Sequence, residues 1–99
     1  MLVEQGNLPA ALTSYQASLA ISDRLATADP GNAERQHDLA ISLQRIGLCA
    51  ARQDQHDSAL SAYRRGLAIM QRLVKLVPDH PGFNNTLASF VFQIGALGR

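Results

Sequence analysis

Residues 38–76, with the sequence DLAISLQRIGLCAARQDQHDSALSAYRRGLAIMQRLVKL, contain two amphipathic segments separated by a polar turn around Asp54. In each segment the apolar residues recur at spacings of three, four or seven positions, which places them on one face of an α-helix. They are Leu39, Leu43, Ile46 and Ala50 in the first segment and Leu60, Tyr63, Leu67 and Val74 in the second. This stretch therefore predicts two consecutive antiparallel helices.

The rest of the chain repeats this stretch at a fixed distance of 48 positions, and no gap is needed to align it. The matching pairs include Ala11 with Ala59, Leu12 with Leu60, Tyr15 with Tyr63, Leu19 with Leu67, Pro30 with Pro78, Leu39 with Leu87 and Gly47 with Gly95. A fixed period is the signature of a repeat array. We therefore predict one all-α domain over residues 1–99, with helices at about 8–28, 33–53, 56–77 and 83–97.

Proline and glycine set the limits of these helices. Asn7 suits an N-cap ahead of Pro9, whose missing N–H would have no partner in a first helical turn. Residues 29–32 and 78–82 should end the first and third helices, and Asn32 should cap the second. The expected core stripes are Leu8, Leu12, Tyr15, Leu19, Ser22 and Ala26 on the first helix, and Leu87, Val91 and Ile94, with Phe90 and Phe92 on either side, on the last.

Composition favours packed helices and argues against several classes of partner. The chain is 46% apolar but only 5% aromatic and has no tryptophan, so Leu, Ala, Ile and Val must build the core. A net charge of +1 gives no general attraction for nucleic acid or anionic lipid. The one cysteine, Cys49, cannot form an internal disulfide, and no apolar run approaches the ~20 residues of a membrane span. We therefore expect a cytoplasmic protein without a membrane partner.

No constellation of residues predicts catalysis or a cofactor. His37, His56, His80 and Cys49 do not share the three- or four-residue spacing that would aim two ligands at one metal ion. Nucleophile motifs, phosphate-binding loops and paired carboxylates are absent from the sequence. We expect no enzyme activity, metal site or cofactor.

The central stretch resembles the tetratricopeptide repeat, whose pattern is a Leu-Gly pair followed at fixed distances by Ala, an aromatic residue and Pro. The matching positions are Ile46, Gly47, Ala59, Tyr63 and Gly66, while Gly6, Ala11 and Tyr15 fit half of an earlier repeat and Leu87 to Gly95 fit half of a later one. Leu43 and Ala50 replace the Trp and Tyr of the family's first helix. The resemblance implies antiparallel helix-turn-helix repeats stacked as a short right-handed α-solenoid of four helices. The residues that it assigns to repeat packing are Ala11, Tyr15, Ile46, Gly47, Ala59, Tyr63, Gly66 and Gly95.

The period of this chain is longer than the family's unit of about 34 residues. The surplus of about fourteen residues is close to four helical turns, and it lengthens both helices of the pair by about two turns each. Helices of this length are similar to those of the tetratricopeptide arrays typified by kinesin light chains and by many large bacterial signalling proteins.

One face of the second helix carries apolar residues where water is expected. Ile41 and Leu48 lie, with Gln44 and Arg52, opposite the core stripe. This face either touches the neighbouring repeat or lines a groove for an extended or helical peptide, and the resemblance implies the groove. The residues of this concave face would be Ile41, Gln44, Leu48, Arg52, Ser89, Phe92 and Ala96.

These features predict a protein-protein interaction scaffold that binds a peptide or partner helix on its concave face. Two alternatives stay open. One is a structural spacer or oligomerisation segment of a larger signalling protein. The other is an RNA-binding helical repeat, which would use a basic zone formed by Arg64, Arg72 and Lys75. That zone lacks the aromatic residues that stack on bases.

The two terminal helices predict self-association. Repeat arrays bury each helix against its neighbours, and about three repeats are usually needed. The first helix lacks a preceding partner, and Phe90, Val91 and Phe92 on the last helix have no following helix to cover them all. We therefore expect a fragment of a longer array that is partly folded alone or associates with other copies through these faces.

Overall fold

The computed structural model describes residues 8–97, which form four α-helices joined by short turns. The helices are α1 (Leu8–Ala28), α2 (Ala33–Arg52), α3 (His56–Leu76) and α4 (Pro81–Leu97). No strand occurs between residues 8 and 97. The expected all-α class with four helices is therefore confirmed. The predictions made for Gly6, Asn7 and the Leu8 side chain lie outside the part that the structure describes.

The helix α2 begins at a side-chain cap and is followed by a turn with a left-handed residue. The Asn32 side chain accepts a hydrogen bond from the Arg35 backbone N–H at 3.2 Å and so caps the helix, as predicted. After Arg52 the chain turns through Asp54, whose φ of 59° is left-handed. Aspartate adopts this conformation more readily than most residues because its short polar side chain bonds locally. The turn brings α3 back against α2.

The start of α4 differs from the prediction. Residues 78–82 were expected to lie outside any helix, but Pro81 and Gly82 form the first turn of α4. His80 caps it, because its Nδ1 accepts a hydrogen bond from the Phe83 N–H at 3.1 Å. The two rings also stack with centroids 3.7 Å apart. Proline is favoured at the first helical position, where its missing N–H would have no partner.

Each helix packs against the next one along the chain, and α2 also touches α4. Two side-chain hydrogen bonds link α2 to α4, His37 to Thr86 at 2.9 Å and Gln44 to Gln93 at 2.8 Å. In contrast, no Cα atom of α1 comes within 8 Å of one in α3. The helices therefore form two layers, and the layer of α2 and α4 is the more tightly spaced.

The core is centred on aromatic rings that lie against glycines. A Cβ added to Gly47 would overlap the ring of Tyr63, and one added to Gly66 would overlap the ring of Phe90. Tyr63 and Phe90 are both buried and meet edge to face, with centroids 6.4 Å apart. Gly47 and Gly66 therefore allow two close helix contacts, one filled by the Tyr63 ring and the other by the Phe90 ring.

The buried stripes of α2 and α3 follow the sequence pattern only in part. Leu39, Leu43 and Ala50 are buried, but Ile46 is half-buried. On α3, the predicted Leu60, Leu67 and Val74 are half-buried at the edge of the contact. The fully covered residues are Ala59, Ala62, Tyr63, Gly66, Ile69, Met70 and Leu73. Because α3 lies between α2 and α4, it buries a wider face than one stripe describes.

The terminal helices depart further from the predicted stripes. On α1, Ala11 and Ala26 are buried, whereas the predicted Leu12, Tyr15, Leu19 and Ser22 are half-buried because the backbone of α1 packs, among the described helices, on α2 alone. On α4, Val91 was expected in the core but is 58% exposed, and Phe83 and Phe90 are buried instead. A phenylalanine ring buries more apolar area than a valine side chain. Phe90, which was expected beside the stripe, is fully buried, whereas Val91 and Phe92 remain exposed.

Within residues 8–97, no helix combines the length and the apolar character that crossing a bilayer requires.

The two equivalent glycines, Gly47 and Gly95, provide a matched test of the core. We expect Gly47→Ala to lower the free energy of unfolding by about 1 to 3 kcal/mol, because the new methyl group must displace the buried Tyr63 ring. Gly95→Ala should raise it by up to about 1 kcal/mol, because alanine favours a helix and no described atom lies within 4 Å of the new Cβ. Urea denaturation at low protein concentration measures both, and shifts of the same sign would contradict this account of the core.

Candidate partner-binding face

The part of the predicted concave face that lies on α2 is partly open to solvent. Ile41 and Gln44 are half-buried, and Leu48 and Arg52 are exposed. Leu48 lies two turns after Ile41, so both side chains leave the helix on the same side. The exposed residues Asp38 and Arg45, together with Arg52, flank this pair. This stripe is therefore apolar in its centre and charged along its border.

The part that lies on α4 is fully open. Ser89 and Ala96 are exposed, and the Phe92 side chain is 72% exposed. The Ser89 hydroxyl donates to the Asn85 carbonyl at 3.1 Å, so its hydrogen-bonding capacity is partly used within the helix. Phe92 is the largest apolar side chain on this surface, and its ring is free to contact a partner.

The hydrogen bond between Gln44 and Gln93 brings the two stripes side by side. The Gln44 Nε2 donates to the Gln93 Oε1 at 2.8 Å. On α2, Gln44 lies between Ile41 and Leu48, and on α4, Gln93 lies between Ser89 and Ala96. The seven residues predicted from sequence thus belong to one surface that crosses from α2 to α4. We call this surface the α2–α4 face.

Sequence reasoning missed the contacts that join these two helices. Neither Gln93 nor the pair His37 and Thr86 was singled out, although each supplies a hydrogen bond between α2 and α4. The available signal was spacing, since Gln93 lies four residues after Ser89 on the same side of its helix. Spacing within one helix gives no orientation relative to another helix, so the pairing itself was not predictable.

The residues that the resemblance assigned to repeat packing differ in how far they are buried. Those that are buried are Ala11, Gly47, Ala59, Tyr63 and Gly66. Tyr15 and Ile46 are half-buried. Gly95 is exposed, and a Cβ added to it would meet no described atom within 4 Å, which differs from its predicted packing role. Its counterpart Gly47 is covered by α3, and among the described helices none takes that place over α4.

The histidines and the cysteine have separate surroundings. His37 and His80 both contact the Phe83 ring, His56 is exposed at the start of α3, and Cys49 is buried. Among the described residues, no group of three His, Cys, Asp or Glu side chains is arranged to hold a metal ion.

The basic zone and one shallow cavity both lie away from the α2–α4 face. Arg64, Arg72 and Lys75 are exposed on α3, while Arg65 is paired with Asp23 of α1 at 3.2 Å. A shallow apolar cavity of about 200 Å³ lies where the α1–α2 turn meets the end of α3. It is lined by Pro30, Gly31, Ala33, Gln36, Ile69, Arg72, Leu73 and Leu76. No convergent polar groups mark it as a site for a small molecule.

Comparison with known proteins yields no relative: the chain matches no family model, no curated protein and no solved structure. The chemistry of the α2–α4 face is therefore the basis for assigning a function.

Two buried ionisable groups behind this face predict how stability depends on pH. Burial raises the pKa of the Cys49 thiol and of the Tyr63 hydroxyl, and the nearby Arg52 charge opposes both shifts in part. The folded chain then keeps these protons at pH values where the unfolded chain loses them, above about 8.5 and 10. The free energy of unfolding should be at its full value below this range and decrease as pH rises through it.

Urea denaturation at neutral and alkaline pH measures this decrease. The combined variant Cys49→Ala and Tyr63→Phe removes both protons and should flatten the alkaline loss, whatever its stability at neutral pH. An alkaline loss of unchanged size in the variant would assign the effect to other groups.

Proposed function

We propose that this chain is a protein-protein interaction scaffold of tetratricopeptide type, a short right-handed α-solenoid that binds a peptide or partner helix on the α2–α4 face. The observation that carries the proposal is the exposure of Leu48 and Phe92 on either side of the Gln44–Gln93 hydrogen bond. Apolar side chains gathered on one surface and rimmed by polar groups are typical of protein-binding sites.

The layering of the helices supports a solenoid with this face on its inner side. The backbones of alternate helices approach within 8 Å in the layer of α2 and α4, whereas α1 and α3 are joined by the Arg65–Asp23 side-chain pair without such a backbone approach. A stack whose members are closer together in one layer curves toward that layer. The α2–α4 face is then concave, which suits a bound peptide better than a convex surface does.

The spacing of the side chains indicates the kind of ligand. Ile41 and Leu48 are seven residues apart, which is about 10 Å along a helix. A partner helix that presents apolar residues two turns apart would match them, as would an extended segment of about three residues. The amides of Gln44 and Gln93 retain donors and acceptors for a peptide backbone. Arg52 favours an acidic group at one end of the ligand.

A second candidate, an oligomerisation segment of a larger signalling protein, is favoured by the exposure of Val91 on α4. No arrangement favours RNA binding, because the basic zone on α3 lies in the opposite layer from Phe92 and holds no aromatic residue. The proposal includes a cytoplasmic location, which the single unpaired cysteine favours.

Peptide selection tests the proposed face directly. Peptides selected from a displayed library on the wild-type chain should carry apolar residues at helical or extended spacing. Leu48→Ser combined with Phe92→Ser should weaken their binding at least about tenfold, since each buried side chain of this size contributes more than 1.4 kcal/mol. Titration of labelled peptide, followed by fluorescence anisotropy, measures this loss.

The control is Leu76→Ser, which removes an apolar side chain that is exposed at the end of α3, away from the face. Circular dichroism should show the same helicity in all variants. Undiminished binding by the Leu48 and Phe92 variant, or an equal loss in the Leu76 variant, would reject the α2–α4 face as the binding surface.

A further inference from the structure

The helix α4 leaves a second surface uncovered, on the side away from α2. Its exposed residues Ala88, Val91 and Gly95 recur at helical spacing and form a row of apolar and small side chains. The equivalent residues one period earlier on α2 are Ala40, Leu43 and Gly47, and all three are buried. The Tyr63 ring of α3 lies on Gly47, and Leu43 lies near Ala62 of α3 and Leu19 of α1.

The helix α1 also exposes apolar residues whose equivalents one period later, on α3, are buried. Its Ile21 and Leu25 side chains are 54% and 42% exposed. Their equivalents on α3 are Ile69 and Leu73, which are buried and lie beside Ala33 and Gln36 of α2. Tyr15, the equivalent of Tyr63, is half-buried. Among the described helices, α1 therefore lacks the partner that α2 provides for α3.

We propose that a second copy of this chain docks its α1 on the free side of α4, in the arrangement that α3 has on α2. In this head-to-tail contact the Tyr15 ring of one copy lies on Gly95 of the other, as Tyr63 lies on Gly47. Ile21 and Leu25 then lie against the first turns of α4, near Pro81 and Asn84. These are the residues 48 positions after Ala33 and Gln36.

The pairing of unlike surfaces is the reason to choose this arrangement over a symmetric one. Two α4 helices packed on each other would cover Val91 but would leave Ile21 and Leu25 exposed. The head-to-tail contact covers the free face of α4 and that of α1 together. It also places the Tyr15 ring of one copy on the exposed Gly95 of the other. Because the two surfaces differ, each copy still has one of them free, so the assembly grows linearly.

The inference is independent of the peptide-binding proposal, because Leu48 takes no part in the contact. Analytical ultracentrifugation of the whole chain should show an average mass that increases with protein concentration. Gly95→Ala should abolish this increase while leaving the monomer folded, because its added methyl group occupies the place of the Tyr15 ring. Ile21→Asp combined with Leu25→Asp should abolish it from the other side, since both positions are exposed in the monomer.

Mixing the two blocked variants provides the decisive measurement. The Gly95 variant keeps a working α1, and the Ile21 and Leu25 variant keeps a working α4, so an equimolar mixture should form a 1:1 dimer and nothing larger. Native mass spectrometry identifies this species by the mass difference between the variants. Leu76→Asp, at an exposed position outside the contact, should associate like the wild type.

Three outcomes would overturn the proposal. One is a wild-type chain that stays monomeric at all concentrations, which would leave the α4 surface to another polypeptide. The second is association that persists in the Gly95 variant. The third is a mixture of the two blocked variants that forms no 1:1 dimer, which is the result that a symmetric contact predicts.

Discussion

The packing of the Tyr63 ring on the backbone of Gly47 is the constraint on which this fold depends. It requires α2 and α3 to approach so closely that even a methyl group on Gly47 would overlap the ring. The buried ring then meets the edge of Phe90, and Phe90 in turn lies on Gly66. Two glycine–aromatic contacts and one aromatic pair thus join α2, α3 and α4 in a continuous series of contacts.

The successive helix pairs α1–α2 and α3–α4 have the same order of helices but different side chains at the contact between the two helices. Between α1 and α2, the hydroxyls of Ser22 and Ser42 share a hydrogen bond at 3.1 Å. The equivalent residues between α3 and α4 are Met70 and Phe90, both fully buried. The second contact therefore buries much more apolar area than the first, and apolar burial is the main stabilising contribution. At this position, therefore, apolar burial holds α4 on α3, whereas a polar contact joins α1 to α2.

The proposed peptide site and the proposed contact between copies follow from one geometric relation. Helices that are one period apart are equivalent, so the surface between α2 and α4 is the unit from which a longer face would be built. Stacking of copies through α4 and α1 would extend this face from one copy to the next. A chain that buries little surface by itself would gain both stability and a larger binding surface from such assembly.

The sequence by itself determined the number and approximate extent of the helices, because apolar spacing, turn residues and an internal period are properties that can be read along the chain. The tertiary structure alone decided which side of α4 is buried. Because that helix is apolar almost all round, residue spacing alone placed Val91 in the core. In the structure, Gly66 on α3 leaves a recess, and the Phe90 ring fills it. It also decided that Gln44 meets Gln93, because periodicity within a helix fixes which residues share a face but not how that face is turned toward another helix.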